Sequence, residues 1–254
     1  MARYDFATHR LHVPADLAPE AVVPLEPGAL NYLLNVLRMD EGARLLVFNG
    51  RDGEWEATVR KPTRKTAVLA LQRQTRLQEP AGRIRYAFAP LKSARLDYLV
   101  QKAVEMGAAR LTPVLTQRTQ LHRLKDERLQ ANIIEAAEQC GILALPVLEP
   151  EIRLDRFLAT LPPDEILVFC DEDAEIANPV VALRQKQPMA GITVLVGPEG
   201  GFTEDERARA LAHPGLLRLS LGPRILRADT AAVAVLTLVQ SVYGDWTGAS
   251  VKEM

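Results

Sequence analysis

Apolar and polar residues alternate in short runs along the first 75 residues, which predicts a small mixed domain. Leucines recur at helical spacing within Ala29–Met39, so we predict a short amphipathic helix there. The run Arg44–Phe48 predicts a strand, and the turn-forming string NGRDG joins it to a returning strand over Glu54–Arg60. A further strand is predicted over Thr66–Leu71. Short strands with turns at this spacing are typical of a compact barrel.

The pattern changes after the linker Gln78–Gly82, whose Pro and Gly interrupt regular structure. Beyond it, apolar runs alternate with helical stripes, which predicts a mostly parallel sheet covered by helices on both faces, an α/β fold. We predict strands at Ile84–Ala89, Leu111–Leu115, Glu165–Cys170, Ile192–Val196 and Leu216–Leu219. We predict helices ending near Gly107 and Gly141, starting at Asn178, and spanning Ala231–Tyr243. The predicted domains are therefore residues 1–75 and 80–247.

Composition agrees with a globular protein, since 48% of residues are hydrophobic and 25% are charged. Cys140 and Cys170 stand far apart, and no histidine or cysteine has metal-site spacing, so we expect two reduced, buried thiols and no metal. The start of the chain lacks the apolar stretch of a signal peptide, and no apolar run is long enough for a bilayer. We therefore expect a cytoplasmic protein with no membrane partner.

Charge is distributed unevenly, although the net formal charge is only −1. The segment Ala57–Lys125 carries 15 lysines and arginines against 3 acids, and the remainder of the chain is correspondingly acidic. Such asymmetry suits a face that binds a polyanion such as RNA. It is equally compatible with cations scattered over solvated faces.

Two loops near the end of the chain carry the candidate chemistry. The first, VGPEGGFTEDE from Val196, follows a buried strand and opens a helix, with Thr203 and Glu206 spaced as a capping box. Acids at the start of a helix repel phosphate, and neither a P-loop nor GxGxxG is present, so this loop suits a ligand without phosphate, such as a sulfonium. The alternative is an ordinary Gly-Pro turn before a well-capped helix.

The second loop, SLGPRILRADT from Ser220, also leaves a strand and enters a helix. Two arginines and an aspartate precede an apolar helix, and buried charge must be paired or used. These residues are therefore candidates for chemistry. The alternative is an arginine–aspartate pair that caps the helix.

The strings VGPEGGFTEDE and SLGPRILRADTAAVAVL, in this order, resemble the signature of the RsmE family of 16S ribosomal RNA uridine-N3 methyltransferases. NYLLNVLRMDEGARLLVFNG and APLKSARLDYLVQKAVEMGAARLTPVL resemble its earlier segments, so the resemblance covers nearly the whole chain. It implies a PUA-like β-barrel domain for RNA followed by a SPOUT methyltransferase domain with a carboxyl-terminal trefoil knot. Two positions depart from the family: Asp229 replaces the usual Glu, and Ser93-Ala94 replaces the usual Gly-Asp.

The resemblance implies S-adenosylmethionine as cofactor, a homodimer, and the small ribosomal subunit as partner, with uridine 1498 as the family's target. Methylation at N3 requires loss of the N3 proton and stabilisation of charge on the uracil oxygens. We expect Arg224 or Arg227 to stabilise that charge, and Glu199 or Asp229 to accept the proton. The cofactor should be bound by Leu195, Val196, Gly197, Pro198, Glu199 and Gly200, and by Leu219, Ser220, Leu221, Gly222, Ile225 and Leu226. RNA contacts are expected at Arg10, Arg38, Arg60, Lys61, Arg64, Lys65, Lys92 and Arg95.

The sequence also bears on two other function classes. A non-catalytic RNA-binding or ribosome-assembly factor on the same fold would use the same charge asymmetry, and a cofactor titration separates it from an enzyme. A nucleotide-dependent oxidoreductase is disfavoured, because the chain lacks GxGxxG and an acid at the ribose-binding spacing.

Overall fold

The structure, a computed structural model, describes residues 5, 7–63, 66–120, 124–175, 178–186 and 191–247. The chain divides into two compact units, each described separately below. The first unit comprises Met1–Pro80 and Ala137–Leu145, and the second comprises Ala81–Ala136 and Pro146–Met254.

The first unit is built on a five-stranded sheet with the strand order β1-β3-β4-β5-β2. Its strands are β1 (Arg10–His12), β2 (Val22–Pro24), β3 (Arg44–Phe48), β4 (Glu54–Thr63) and β5 (Thr66–Arg76). β1 pairs with β3 in parallel, and the other pairs are antiparallel. Alternate residues of β3, β4 and β5 point inward and form an apolar core that includes Leu45, Val47, Ala57, Val59 and Leu69.

The hairpin between β3 and β4 forms where the NGRDG string predicts it. The Asn49 side chain accepts hydrogen bonds from the backbone N–H groups of Arg51 and Asp52, which closes the turn. Gly50 and Gly53 both have positive φ values, the backbone region that favours glycine. β3 has the predicted bounds, whereas β4 and β5 run three and five residues further than predicted.

The helix predicted over Ala29–Met39 is only partly correct. An α-helix, α1 (Pro27–Asn31), begins two residues earlier and continues as a π-helix over Tyr32–Val36. Leu33 still reaches the core, so the apolar spacing was interpreted correctly. The helical segment ends early because Arg38 adopts a positive φ of 53°, which no helix accommodates.

The second unit contains a parallel sheet with the strand order β12-β10-β11-β6-β7-β8, and β9 also pairs with β7. Its strands are β6 (Ile84–Phe88), β7 (Arg110–Leu115), β8 (Val147–Leu148), β9 (Ile152–Arg153), β10 (Ile166–Cys170), β11 (Ile192–Val196) and β12 (Leu216–Leu219). The α-helices are α2 (Ser93–Glu105), α3 (Asp126–Cys140), α4 (Leu154–Thr160), α5 (Pro179–Arg184), α6 (Glu204–Leu211) and α7 (Ala228–Tyr243). Every strand pair of this sheet is parallel, as the α/β pattern predicts.

Helices cover both faces of this sheet. On one face, Leu167, Phe169 and Leu195 pack against Phe157 of α4 and Ala210 of α6. On the other face α7 lies against β11 and also contacts α2 and α5. The five long strands match the predicted ones to within one residue at each end, whereas β8, β9 and α4 were not predicted because they are too short to show a period.

The strand order places the carboxyl ends of β10, β11 and β12 next to one another. Strands β6, β7 and β8 follow one another toward one edge of the sheet. The later strands β10, β11 and β12 lie on the other side of β6, with β11 next to it, so the strand order reverses at β6 and β11. In open parallel sheets, ligands bind at the carboxyl edge where the strand order reverses. No helix in the described part of the chain is long and apolar enough to cross a membrane.

Candidate active site

A cavity with a volume of about 280 Å³ lies at this carboxyl edge. Three segments form its wall: the residues that follow β10, the glycine-rich loop between β11 and α6, and the loop between β12 and α7. Its lining is Cys170–Asp173, Val196–Glu199, Gly201, Phe202, Arg207, Leu219–Leu226, Ala228 and Ala231. The wall therefore combines loop backbone and charged side chains of both signs with many apolar side chains.

The glycine-rich loop is held by the capping box that the sequence predicts. Thr203 Oγ1 accepts the backbone N–H of Glu206, and the Glu206 carboxylate accepts the backbone N–H of Thr203 at 3.0 Å. Glu206 Oε1 also accepts the backbone N–H of Gln117, at 2.7 Å. Arg118 Nη1 donates to the carbonyl oxygen of Gly200 at 2.6 Å. The segment after β7 thus fixes the loop from outside, an arrangement that the sequence did not indicate.

The glycines of this loop serve different purposes. A Cβ on Gly197 would lie 2.6 Å from the Phe202 ring, so the close packing of that ring requires glycine. Gly201 has a φ of 68°, which favours glycine whatever the free space. A Cβ on Gly200 would meet only ordinary contacts, the nearest being 3.5 Å from Arg118.

The loop between β12 and α7 is open to solvent. Gly222 has a φ of 102°, and no described atom lies within 4 Å of the position that its Cβ would occupy. Ile225 is 91% exposed, and the side chains of Arg224 and Arg227 are exposed as well. The argument that buried charge must be paired therefore does not apply to these arginines.

Helix α7 begins at Ala228, three residues before the predicted start, so Asp229 lies in its first turn. The Arg227 side chain does not cap the helix. Within the described ranges, neither Arg227 nor Asp229 forms an ion pair within 4 Å. The alternative of a purely structural arginine–aspartate pair thus lacks support from the geometry.

An ion cluster that the sequence analysis missed follows β10. Asp171 is buried, and its Oδ2 accepts hydrogen bonds from Arg207 Nε at 3.0 Å and Arg218 Nε at 2.6 Å. Burial alone would raise the pKa of this carboxyl, but the hydrogen bonds from the two arginines hold its pKa below the usual value. Asp173 also pairs with Arg207. The rule that ligands bind beyond parallel strands could have indicated these acids, since they directly follow a predicted strand.

Cys170, which is partly buried, and Tyr86, which is fully buried, lie on the sheet near the cavity. Burial raises the pKa of the Cys170 thiol to about 12, with Asp171 as a smaller cause. Tyr86 is fully buried on β6, and burial raises the pKa of its phenol well above its ordinary value. The expectation of two buried thiols is wrong, because Cys140 is exposed and Cys170 is only partly buried.

The cavity brings together most of the residues predicted to bind the cofactor. Leu195 and Gly200 do not line it: Leu195 points into the apolar core, and Gly200 lies on the outer side of its loop against Arg118. Of the candidate catalytic residues, Arg224 and Glu199 line the cavity, whereas Arg227 and Asp229 do not, although Leu226, Ala228 and Ala231 around them do. Glu199 forms an ion pair with Arg95. No cluster of metal-ligating side chains occurs among the described residues.

The predicted RNA contacts occupy varied surroundings. Arg10 has a side chain only 3% exposed and paired with Glu54 at 2.6 Å, which argues against a direct RNA contact. Arg38 is exposed, Arg60 lies 3.7 Å from Glu41, and Lys61 pairs with Asp40 at 3.0 Å. Lys92 lines a small cleft with Arg118 and Glu199. Arg64 and Lys65 lie outside the described residues.

Comparison with known proteins defines the class of this fold and site. The family model described as an RNA methyltransferase domain matches residues 78–240, and one described as an RNA methyltransferase PUA domain matches residues 25–72. The chain is thus an RNA methyltransferase by family, with a PUA domain before an α/β methyltransferase domain.

Two curated relatives carry the name ribosomal RNA small subunit methyltransferase E. The protein from Synechocystis is 32% identical, with 92% of this chain and 78% of the relative covered. The protein from Rickettsia conorii is 28% identical, with 91% and 95% covered. The chain belongs to the ribosomal RNA small subunit methyltransferase E family, as its resemblance to RsmE implied.

Two solved structures are similar in fold to more than nine-tenths of this chain. The ribosomal RNA small subunit methyltransferase E from Neisseria gonorrhoeae, bound to S-adenosyl methionine, has a TM-score of 0.82 at 27% identity, with 94% of this chain and 99% of that chain covered. A methyltransferase from Legionella pneumophila with the bound cofactor SAM has a TM-score of 0.79 at 30% identity, with 92% and 97% covered.

Proposed function

We propose that this protein transfers a methyl group from S-adenosylmethionine to N3 of a uridine in the RNA of the small ribosomal subunit, at position 1498 in the family's numbering. The observation that carries the proposal is the cavity at the carboxyl ends of β10, β11 and β12, in a chain whose structural neighbours bind S-adenosylmethionine. The partner is then the small subunit RNA, and the site of action is the cytoplasm, where ribosomes are assembled.

The residues of the cavity fit this cofactor better than a nucleotide phosphate. Acids occupy the first turn of α6, and Glu172 lines the cavity after β10; these carboxylates would repel phosphate groups. The open space beside Gly222, together with its positive φ, lets a ligand approach the backbone of the second loop. Backbone groups of Val196–Glu199 and Leu219–Leu226 would hold the cofactor, which supplies an electrophilic methyl group when it is bound.

The remaining side chains provide the two groups that methylation of uridine N3 requires, a proton acceptor and a cation. An N3 anion forms once a carboxylate accepts the N3 proton, and Glu199 or Asp229 would be that acceptor, directly or through water. Negative charge then spreads onto the uracil oxygens, and the exposed guanidinium of Arg224 or Arg227 would stabilise it. Both arginines lie in the loop that leads from the cavity to α7, so they are free to turn toward a bound base.

We further propose that the second unit is a SPOUT domain with a carboxyl-terminal trefoil knot, that the first unit is a PUA-like barrel that binds RNA, and that two chains form a homodimer. The insertion of β11 between β10 and β6, and the meeting of two late loops at one cavity, support the knotted arrangement. The exposed Lys92 and the half-buried Arg95 near the cavity, and the first-unit residues Arg38, Arg60 and Lys61, would contact RNA phosphates.

Transfer of a labelled methyl group tests this function against a non-catalytic RNA-binding factor. The protein is incubated with labelled S-adenosylmethionine and small subunits that lack the modification, and label in the RNA is counted. The enzyme transfers label in proportion to time and protein concentration. A protein that binds the subunit but transfers no label would be the binding factor. Gly222→Val provides a matched inactive control, because it alters only the second loop.

A further inference from the structure

The acids around the cavity differ in whether arginines already neutralise them. Asp171 accepts hydrogen bonds from Arg207 and Arg218, and Asp173 pairs with Arg207 at 3.0 Å. Glu199 pairs with Arg95. Glu172 also lines the cavity; it adds to the effect of Asp171 and Asp173 in raising the pKa of Arg207, but across the described part of the chain it forms no ion pair within 4 Å. Its carboxylate is therefore available to a ligand.

The neighbours of Glu172 fix its position. Asp171 Oδ1 accepts the backbone N–H of Asp173 at 3.1 Å, and Arg218 donates to the carbonyl oxygen of Asp173. Both residues that flank Glu172 are thus tied to β12 through Arg218. Glu172 Oε1 lies 3.2 Å from the position that a Cβ on Gly201 would occupy. The carboxylate therefore extends from the end of β10 to the glycine-rich loop.

We propose that Glu172 is a specificity-determining residue that pairs with a positively charged group of the cofactor. This inference rests on the proposed function, under which the cofactor carries two such groups, a sulfonium and an α-ammonium. Glu172 is exposed, and a bound cofactor would shield its carboxylate from water, which strengthens the attraction between the carboxylate and a cation; the same charge repels phosphate. Glu172 would thereby favour S-adenosylmethionine over phosphate-bearing nucleotides.

Three related ligands separate the sources of positive charge. S-adenosylmethionine carries both cationic groups, S-adenosylhomocysteine carries only the ammonium, and 5′-methylthioadenosine carries neither. In calorimetric titrations, Glu172→Gln should weaken S-adenosylmethionine binding about tenfold or more, the usual effect of losing a charge-assisted hydrogen bond. Binding of 5′-methylthioadenosine should remain within about twofold of wild type. If the variant loses the same factor of affinity for S-adenosylhomocysteine, Glu172 pairs with the ammonium group. If its affinity for S-adenosylhomocysteine is unchanged, Glu172 pairs with the sulfonium. Either result supports the proposal.

A control variant removes the same charge from the same loop. Glu175 is exposed and does not line the cavity, so Glu175→Gln should bind all three ligands like wild type. Melting temperatures of both variants should match wild type. Unchanged affinity of Glu172→Gln for S-adenosylmethionine, or an equal loss for all three ligands, would overturn the proposal. Failure of the proposed function would differ, because wild type itself would then not bind S-adenosylmethionine.

Discussion

The Tyr86 side chain is fully buried in the sheet of the second unit. Its ring stacks on Phe88 at a centroid distance of 5.3 Å, and its buried hydroxyl has no hydrogen-bond partner among the described residues. A buried polar group without a partner costs about 1–3 kcal/mol. Tyr86→Phe should therefore leave the free energy of unfolding unchanged or raise it.

Urea denaturation of the Tyr86→Phe variant measures this effect. Tyr86→Ala is the contrasting variant, because it creates a cavity and should cost about 3–5 kcal/mol. A loss of more than about 1 kcal/mol in Tyr86→Phe would contradict the prediction and show that the hydroxyl has a partner.

Substitution of Arg227 tests whether this side chain of the second loop acts in methyl transfer and not in cofactor binding. Its side chain is exposed and does not cap α7, so Arg227→Ala should leave the melting temperature and the cofactor affinity near those of wild type. Loss of a charge-stabilising donor should slow single-turnover methyl transfer by about 10²–10³-fold. Arg227→Lys should restore little, since an ammonium lacks the planar fork of guanidinium. A lower melting temperature with normal activity in the folded fraction would instead indicate a structural role.

Gly222→Val is the reciprocal variant. The φ of 102° strains any residue with a Cβ, and that Cβ would project into the space where the cofactor is proposed to bind. Calorimetry should show loss of cofactor binding. Binding at wild-type affinity would remove the second loop from the proposed cofactor site.

At the scale of elements, Asp171 joins β10, α6 and β12 through its hydrogen bonds to Arg207 and Arg218. The folded-state pKa of Asp171 lies below its usual value, so its contribution to stability is present above the unfolded pKa of about 3.9. As the pH falls below that value, the unfolded state takes up the proton first, and the contribution is lost through the folded-state pKa.

Asp171→Asn should accordingly be less stable than wild type at neutral pH, and the difference should shrink below about pH 4. Urea denaturation of both proteins over a series of pH values measures this difference. A difference that persists unchanged, or grows, in acid would contradict the assignment of a charged Asp171.

Elements with long, regular patterns were predictable from the sequence, and short or locally strained ones were not. Buried strands such as β10 and β11 follow directly from continuous apolar runs, and the capping box at Thr203 fixes the start of α6. The π-helical turn after Asn31 depends on packing and on the positive φ of Arg38, and the spacing of apolar residues along the sequence indicates neither. Helix α7 begins at Ala228, three residues before the apolar run that predicts it, because its first turn contains the polar residue Asp229.

The candidate site was predictable where backbone motifs mark it, but not where distant side chains complete it. Both late loops lie on the cavity as expected. The contacts of Arg118 with Gly200, and of Arg207 and Arg218 with Asp171, join residues far apart in sequence. No local pattern reports such pairs.

For the whole molecule, the surplus of positive charge between residues 57 and 125 is largely compensated in the folded chain. Most of its described lysines and arginines lie within 4 Å of a carboxylate, as Arg73 does beside Glu56 and Arg110 beside Glu149. The sequence count therefore overstates the basic surface. Exposed cations near the cavity, such as Lys92 and Arg118, are the better candidates for RNA contacts.

The proposed homodimer is also a property of the whole molecule. Val181, Ile225 and Trp246 of the second unit are each more than half exposed, and a dimer interface would remove such side chains from water. Light scattering should give about twice the chain mass of 28.0 kDa. An active protein that remains at the chain mass at all concentrations tested would contradict the dimer.

The central claim is methyl transfer to uridine N3, and mass spectrometry of the RNA tests it most directly. Small subunits that lack the modification are incubated with the protein and S-adenosylmethionine, and their RNA is digested to nucleosides and to mapped fragments. We predict 3-methyluridine at one position, the family's uridine 1498, and its absence when Arg227→Ala replaces wild type over a single turnover. A methyl group on another base or atom, or no added methyl group with wild type, would contradict the account.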